Sequence, residues 1–309
     1  MRVAILQFAP QLHSVNSNIH KADTLIADLA PSSVDLLVLP ELAITGYNYP
    51  SLESIKPYLE PTTSGRSTQW AIDTARRLRC HVTVGYPERT TDTPSKNYNS
   101  TVMVLPTGEV IANYRKSFLY YTDETWASEG DSCFFFGSLG ALGKVAMGIC
   151  MDINPYKFEA PWGKCEFATH CVTKGARMVV LSMAWLTRLT PEELTGPGER
   201  EKPDSDTIMY WLQRFQPLFQ AEREVGEDVV VVLANRSGSE PGKVAGVSQG
   251  VNETGEEVVS YAGSSCVIKV RQGDVQIYDM LGRAEEKLLI VDTDSAPRYM
   301  LAQKTAEED

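Results

Sequence analysis

The chain alternates short apolar runs with longer amphipathic stretches almost from end to end, and this alternation constrains its fold more than any other feature. Residues 2–8 (RVAILQF) and 35–39 (DLLVL) are mainly apolar runs of strand length. Between them, residues 17–30 repeat apolar side chains at helical spacing behind a polar capping region. Strands that alternate with helices pack into layers, so the pattern predicts an α/β domain.

The same alternation continues through the rest of the sequence. Further helices are predicted over 67–78, 158–174 and 208–224, and further strands over 81–85, 97–105, 110–115, 143–149, 178–181, 228–234, 258–261, 265–270, 274–279 and 287–292. Segments 191–206 and 236–257 are rich in Gly, Pro, Ser and acidic residues, which predicts long loops. Because no linker divides the chain, we expect one domain over 1–300 and a polar C-terminal tail over 301–309.

Charge and composition limit the expected partners and location. Of the 309 residues, 43% are hydrophobic and 22% are charged, and the formal net charge is −11. An acidic surface repels polyanions, so nucleic acid is not an expected partner. No stretch approaches the roughly 18 apolar residues of a membrane span, and the N-terminus lacks a signal-peptide cleavage pattern. We therefore expect a cytoplasmic protein without membrane association.

The cysteines do not form the pattern of a disulfide scaffold or a zinc site. Six are spread over the chain and none forms a CxxC pair: Cys80, Cys133, Cys150, Cys165, Cys171 and Cys266. That density and spacing predict reduced thiols, with neither a structural metal nor a cofactor.

Three residues of different chemistry each follow a predicted strand at its carboxyl end. Glu41 follows DLLVLP, Lys116 follows VIANYR and Cys150 follows KVAMGI. Taken singly, such residues are more often a solvated charge or a small buried thiol. In α/β sheets, however, ligands bind beyond the carboxyl ends of strands, so the three side chains can converge there.

An acid, an amine and a thiol at one place suit nucleophilic attack on a carboxamide. The glutamate takes the thiol proton, because thiolate is the nucleophilic form of cysteine. The ammonium, together with a backbone N–H, stabilises the negative charge that develops on the carbonyl oxygen. The glutamic acid then protonates the departing ammonia, and water hydrolyses the thioester. The three residues therefore predict a cysteine amidohydrolase.

The sequence around these residues resembles the nitrilase superfamily of carbon–nitrogen hydrolases. The matching segments are LVLPELAITGY, IANYRKSFLY and VAMGICMDINPY, and the likeness extends from VAILQFAP at the N-terminus to YAGSSCVI near residue 266. The resemblance implies a four-layer αββα sandwich that often pairs through its α faces, so a homodimer and a monomer are both open. It also implies that Glu41, Lys116 and Cys150 form the catalytic triad.

Members of the superfamily often carry an auxiliary glutamate between the lysine and the cysteine. The segment YYTDETWASEG offers Glu124 and Glu129, and Glu124 fits the family spacing better. Asp123 is a further candidate. The resemblance therefore predicts Glu124 as the fourth catalytic residue.

Within the superfamily, the segments YRKSFLYYTDE, GICMDINPYKFEAPWGKCEFA and LSMAWL resemble the fungal amidases that act on protein N-termini. Those enzymes convert N-terminal Asn and Gln to Asp and Glu, which feeds an N-degron pathway of protein degradation. By this resemblance, the partners are peptide or protein N-termini that bear Asn or Gln. Some fungal members are longer than this chain.

Five residues are candidates for substrate binding. Asp152, two residues after Cys150, is placed to pair with a substrate α-ammonium. Trp185 and Tyr47 are candidate pocket walls, although a core aromatic is an equally good interpretation of each. Met151 lies next to the predicted nucleophile. Glu240 lies in a loop that can border the entrance, where its carboxylate can meet a cationic group of the substrate.

Two other functions stay open at this point. One is an amidase for a small metabolite, of the ω-amidase or carbamoyl hydrolase type, which shares the triad. Such an enzyme, when its substrate is acidic, calls for an arginine near the cysteine. The other is a non-catalytic binding protein of the same fold, which requires a broken triad.

Overall fold

A computed structural model describes residues 1–131, 133–222, 224 and 226–301. The strands are β1 (Arg2–Gln7), β2 (Leu36–Val38), β3 (Glu60–Pro61), β4 (His81–Arg89), β5 (Asn97–Val104), β6 (Val110–Arg115), β7 (Phe135–Ser138), β8 (Lys144–Ile149), β9 (Met178–Met183), β10 (Val229–Asn235), β11 (Ser239–Pro241), β12 (Gly250–Val251), β13 (Glu257–Ser260), β14 (Cys266–Arg271), β15 (Asp274–Met280), β16 (Lys287–Asp292) and β17 (Tyr299–Leu301). The α-helices are α1 (Val15–Leu25), α2 (Leu52–Ile55), α3 (Arg66–Leu78), α4 (Glu166–Lys174), α5 (Pro191–Thr195), α6 (Ser205–Arg214) and α7 (Gln216–Gln220).

Two large sheets form the centre of the molecule. The first has the order β16-β1-β2-β4-β5-β6, with β3 paired to β4, and the second has the order β17-β15-β14-β10-β9-β8-β7. In the first, β1, β2 and β4 are parallel neighbours, and in the second β8, β9 and β10 are. A small third sheet, β11-β13-β12, lies in the segment between β10 and β14.

The side chains of each strand alternate between its two faces, which explains why the two sheets form layers. On β1, Val3 and Ile5 belong to the core shared with the second sheet, whereas Ala4 and Leu6 pack with residues of α1 and α3. Successive side chains of a strand point to opposite faces, so a strand that is apolar throughout is covered on both faces. Helices α4, α6 and α7 contribute Phe167, Trp211 and Leu218 to the core of the second sheet. This confirms the expected four-layer αββα sandwich.

Two predicted helices are shorter than their apolar patterns suggest. The predicted helix 158–174 is helical in α4 only, and the residues before it form 3₁₀ turns around Pro161. The predicted helix 208–224 divides into α6 and α7. Pro217 lies in the first turn of α7, where its missing N–H cannot continue the preceding helix. Both differences lie where proline interrupts the backbone hydrogen-bond pattern.

The predicted long loops contain short elements, and the predicted tail is only partly described. Segment 191–206 includes α5, and segment 236–257 includes β11 and β12. Of the predicted tail 301–309, Leu301 ends β17 and residues 302–309 lie outside the described residues. The division into one domain and a tail stays a prediction. Within the described residues, no helix combines the length and apolar character needed to cross a membrane.

Candidate active site

The predicted acid, amine and thiol come from both sheets. Glu41 follows β2 and Lys116 directly follows β6, both in the first sheet, whereas Cys150 directly follows β8 in the second. Glu41 and Lys116 are fully buried, and Cys150 is 7% exposed. The site therefore lies where the carboxyl ends of strands from the two sheets meet.

Glu41 is held by three hydrogen-bond donors. Lys116 Nζ donates to Glu41 Oε1 at 2.6 Å, and Asn99 Nδ2 donates to the same oxygen at 2.7 Å. The backbone N–H of Ala184 donates to Oε2 at 2.8 Å. The same Ala184 N–H lies close enough to the Cys150 sulfur to favour the thiolate, which opposes the rise in the pKa of the thiol. The carboxylate and the thiol of the predicted triad therefore lie side by side.

Burial and the neighbouring charges determine which groups of this cluster are protonated. Burial raises the pKa of Glu41 to about 6, although the Lys116 ammonium opposes the shift. Burial and the Glu41 carboxylate raise the pKa of the Cys150 thiol well above its ordinary value. Burial lowers the pKa of Lys116, but the carboxylates of Asp123 and Glu41 outweigh burial, so the net shift is upward. The resting cluster therefore holds a neutral thiol, a charged lysine and a glutamate that can take the thiol proton near neutral pH.

The fourth charged member of the cluster is Asp123 rather than Glu124. Asp123 is fully buried, and its Oδ2 accepts a hydrogen bond from Lys116 Nζ at 2.6 Å. Asn99 Nδ2 donates to Asp123 Oδ1 at 2.9 Å, which links the two carboxylates. Glu124 is exposed and has no ion pair with a described residue. The prediction of Glu124 was wrong, because the 3₁₀ turn at 123–125 directs the side chain of Asp123 toward Lys116 and leaves that of Glu124 exposed.

The predicted role of Asp152 was also wrong. Its carboxylate is fully buried and accepts hydrogen bonds from the backbone N–H groups of Ile149 at 2.7 Å and Phe118 at 2.9 Å. The hydroxyl of Tyr114 donates to it at 2.8 Å, and the backbone N–H of Ser117 at 3.2 Å. A carboxylate occupied by four donors is not free for a substrate ammonium. It ties the Cys150 turn to the segment that carries Lys116.

Glu240 is likewise a structural carboxylate, so its predicted place at the entrance was wrong. It accepts hydrogen bonds from the backbone N–H groups of Tyr47 and Asn48 and from the hydroxyl of Tyr261. The guanidinium of Arg236, four residues earlier, also donates to it. Glu240 is 1% exposed and therefore anchors the loop after Glu41 instead of facing solvent.

Tyr47 lies beside the cluster but does not line the pocket. Its ring centroid is 5.8 Å from Lys116 Nζ, so the ring face lies toward the ammonium. Burial, followed by the charges of Asp123, Glu41 and Cys150, raises the pKa of its hydroxyl well above the ordinary value. Its hydroxyl oxygen has no hydrogen-bond partner among the described residues. Substrate contact by Tyr47 stays a prediction.

Cys150 opens onto a pocket of about 590 Å³. Of the predicted substrate contacts, Met151 and Trp185 line it. The remaining lining residues are Tyr120, Asn154, Phe158, Ala184, Leu186, Thr187, Arg188, Leu189, Asp204, Asp206, Thr207, Met209, Tyr210 and Gln213. Exposed residues of the lining, such as Asp206 and Met209, mark the side that faces solvent. Helix α6 and its preceding loop therefore supply much of the wall, about 60 residues after Cys150.

Asn99 is the functional candidate that sequence reasoning missed. It lies on β5, and its amide group bridges Glu41 and Asp123. The first half of β5 also contains Asn97, Ser100 and Thr101, so the sequence did not distinguish Asn99 from its polar neighbours. Within the described residues, no cluster of His, Cys, Asp and Glu is arranged to hold a metal ion.

Comparison with known proteins gives consistent matches. Residues 2–156 match the model of the carbon–nitrogen hydrolase family. A protein N-terminal amidase of Schizosaccharomyces pombe is 33% identical over 306 residues, which cover 94% of this chain and 98% of that protein. A protein N-terminal amidase of Saccharomyces cerevisiae is 33% identical over 207 residues, which cover 60% of this chain and 45% of that protein. This chain therefore aligns with less than half of the Saccharomyces cerevisiae relative.

Solved structures share the architecture. The crystal structure of an N-terminal amidase with an Asn-Glu-Ala peptide superposes with a TM-score of 0.76 at 22% identity. The superposition covers 94% of this chain and 96% of that one. At this level of identity, the likeness concerns the fold.

Proposed function

The chain belongs to the carbon–nitrogen hydrolase family, and we propose that it is a cysteine amidase that deamidates N-terminal Asn and Gln of peptides and proteins. The observation that carries the proposal is the cluster itself: a buried carboxylate paired with a buried ammonium, both close to a thiol that lines one pocket. The near full-length match to a protein N-terminal amidase supports the choice of substrate.

In the proposed reaction, Glu41 takes the proton of Cys150 as the sulfur attacks the side-chain carboxamide carbon. Lys116 Nζ, held between Glu41 and Asp123, stabilises the negative charge that develops on the oxygen. A C–S bond forms, the C–N bond breaks, and the protonated Glu41 delivers its proton to the departing ammonia. Water, deprotonated by Glu41, then hydrolyses the thioester and leaves Asp or Glu at the N-terminus.

The charge of the pocket wall supports a substrate with a free α-ammonium. Asp204 and Asp206 line the pocket, together with one arginine, Arg188. Asp204 already accepts hydrogen bonds from the Thr187 hydroxyl and the Thr207 N–H, whereas the side-chain carboxylate of Asp206 has no hydrogen bond or ion pair with a described residue. Carboxylates at the wall attract a cationic N-terminus and repel an acidic metabolite.

We place this activity in the cytoplasm, where its acidic products feed an N-degron pathway. The reaction needs a reduced nucleophile, and a reducing compartment maintains one. All six cysteines are free thiols in the structure.

The test is ammonia release from matched peptides that begin with Asn, Gln or Asp, from an N-acetylated Asn peptide and from a peptide with internal Asn. We expect release only from the free Asn and Gln peptides, and none from the Cys150→Ser variant. Equal rates with the acetylated peptide would reject the N-terminal specificity but leave the amidase activity. No release from any of them would reject the proposed function.

A further inference from the structure

A second buried carboxylate lies in the first sheet, on the face opposite the candidate active site. Glu88 of β4 is fully buried. It follows Tyr86 by two residues, so both side chains point to the face that α1 and α3 cover. Burial of a charge is costly unless partners compensate for it. Four side chains donate hydrogen bonds to this carboxylate: Thr62, Ser100, Asn113 and Arg115.

The ion pair with Arg115 is the most extensive of these contacts. Arg115 Nε lies 3.1 Å from both oxygens of Glu88, and Nη2 lies 2.6 Å from Oε1. The guanidinium carbon lies 4.1 Å from the centroid of the Tyr98 ring. A contact through two nitrogens fixes the orientation of the guanidinium as well as its distance. Because Arg115 is the last residue of β6, the pair holds this strand at the point where it leaves the sheet.

Glu88 is therefore bonded to the sequence neighbours of two residues in the active-site cluster. Arg115 immediately precedes Lys116. Ser100, whose hydroxyl donates to Glu88 at 2.6 Å, immediately follows Asn99. Ser100 and Arg115 are also paired across β5 and β6. Because successive side chains of a strand point to opposite faces, fixing Ser100 and Arg115 on one face orients their neighbours on the other.

We propose that Glu88 is a positioning residue that keeps Lys116 and Asn99 in place for the amidase reaction. Its role in turnover rests on the proposed function. Lys116 and Asn99 donate to the same oxygen of Glu41, at 2.6 and 2.7 Å. Burial raises the pKa of Glu41, and both donors oppose that rise. If the donors are displaced, Glu41 becomes harder to ionise and the developing oxyanion loses its ammonium partner.

The test compares Glu88→Gln with the wild-type protein in two assays. The first measures kcat and KM for ammonia release from an Asn-initiated peptide. We expect kcat to fall about tenfold and KM to change less than about twofold, because Glu88 orients reacting groups without touching substrate. The second assay follows alkylation of Cys150 by iodoacetamide against pH, by mass spectrometry of the Cys150 fragment. This assay does not depend on deamidation.

The direction of the pH shift separates positioning from a direct effect of charge. Wild-type alkylation should slow as the pH drops through about 6, where Glu41 becomes protonated. In Glu88→Gln the same fall should lie about one pH unit higher, because the donors of Glu41 are displaced. If the uncompensated Arg115 guanidinium acted only through its field, it would favour the carboxylate and move the fall to lower pH.

Arg115→Lys tests the same ion pair without removing a charge. Lysine replaces the two-point contact by a single one, so kcat should fall about threefold and the alkylation profile should again move to higher pH. This variant decides the question if Glu88→Gln does not fold. Glu109→Gln and Arg89→Lys are the matched controls, because both residues are exposed and neither contacts Glu88. Both should behave as wild type.

Thermal unfolding establishes whether each variant is folded. A lower melting temperature with unchanged kcat and an unchanged alkylation profile would overturn the proposal, and so would a shift of the profile to lower pH. Either result leaves the proposed function intact. If the wild-type protein releases no ammonia, the proposed function fails, and the alkylation profiles alone decide whether Glu88 positions the cluster.

Discussion

At the scale of single residues, the site depends on the two carboxylates that compensate the charge of the buried Lys116 ammonium. Lys116 Nζ lies 2.6 Å from both Glu41 Oε1 and Asp123 Oδ2. In the proposed reaction Glu41 transfers protons, so its charge changes. Asp123 is then the partner that keeps Lys116 charged and in place when Glu41 is protonated.

Asp123→Asn should therefore lower kcat about 100-fold, a loss typical of an impaired oxyanion partner, with little change in KM. Glu124→Gln is the matched control and should keep wild-type turnover, because its side chain is exposed. Steady-state kinetics of both variants check this, with thermal unfolding to establish that each is folded. A larger loss of kcat in Glu124→Gln than in Asp123→Asn would instead support Glu124 as the fourth catalytic residue.

The pH dependence should report the protonation of Glu41. The base must be ionised to accept the thiol proton, and burial raises its pKa from the ordinary value of 4.5 to about 6. The value of kcat/KM for an Asn-initiated peptide should therefore fall as the pH drops through about 6. A fall centred near 4.5 instead would contradict this account.

Asp152 requires a control in that experiment, because burial also raises its pKa to about 6. The Asp152→Asn variant removes this titration. If the acid limb belongs to Glu41, it remains in the variant at the same pH, although the overall rate is lower. Loss of the limb in Asp152→Asn would assign it to Asp152.

The sequence predicted that the residues at three strand ends would lie together, but it did not predict contacts between segments that are distant in sequence. Glu41, Lys116 and Cys150 each follow an apolar strand, so their convergence could be anticipated. Asp152 was interpreted as a ligand because its four donors belong to another segment or to backbone geometry that the sequence does not display. Asp123 and Glu124 are adjacent in sequence, and only the direction of a turn distinguishes them.

At the scale of elements, Asp152 joins two strand ends. Its carboxylate contacts the end of β8 through Ile149 and the segment after β6 through Ser117 and Phe118. One carboxylate therefore fixes the distance between the nucleophile and the lysine. A role in positioning predicts a different kinetic signature from a role in substrate binding.

Asp152→Asn should lower kcat at least tenfold, leave KM for an Asn-initiated peptide nearly unchanged and destabilise the fold by about 2 kcal/mol. The reason is that a neutral amide replaces a charged acceptor of buried N–H groups. Kinetics and denaturant unfolding measure the two effects, with the exposed Asp92→Asn as control. A raised KM with unchanged kcat and stability would instead indicate the substrate contact that was first expected.

The strands were easier to predict than the helices. Strands such as β1 and β10 are covered on both faces, so each appears in the sequence as an apolar run. Such a run can be recognised without knowing the neighbouring strands. The predicted helix 158–174 was too long because Pro161 interrupts it and the turn that follows is held by a distant group. Arg214 of α6 donates to the carbonyl of Trp162 in that turn. Such contacts override the local helical pattern.

At the scale of the whole molecule, the site exists only because two sheets pack together. Glu41 and Lys116 belong to the first sheet, Cys150 to the second, and Ala184 contacts members of both. The resemblance to the family implied this sandwich, which the pattern of strands and helices alone did not require. The pocket wall from α6 was not predicted, because nothing near Cys150 in sequence indicates which later segment folds over it.

The central claim is that Cys150 forms a thioester with the side-chain acyl group of an N-terminal Asn or Gln. The most direct measurement is rapid acid quenching during turnover of an Asn-initiated peptide, followed by mass spectrometry of the protein fragments. We predict a peptide adduct, formed with loss of ammonia, on the fragment that contains Cys150, and no adduct when the peptide is N-acetylated. An adduct on another cysteine, or ammonia release that persists in Cys150→Ser, would contradict the account.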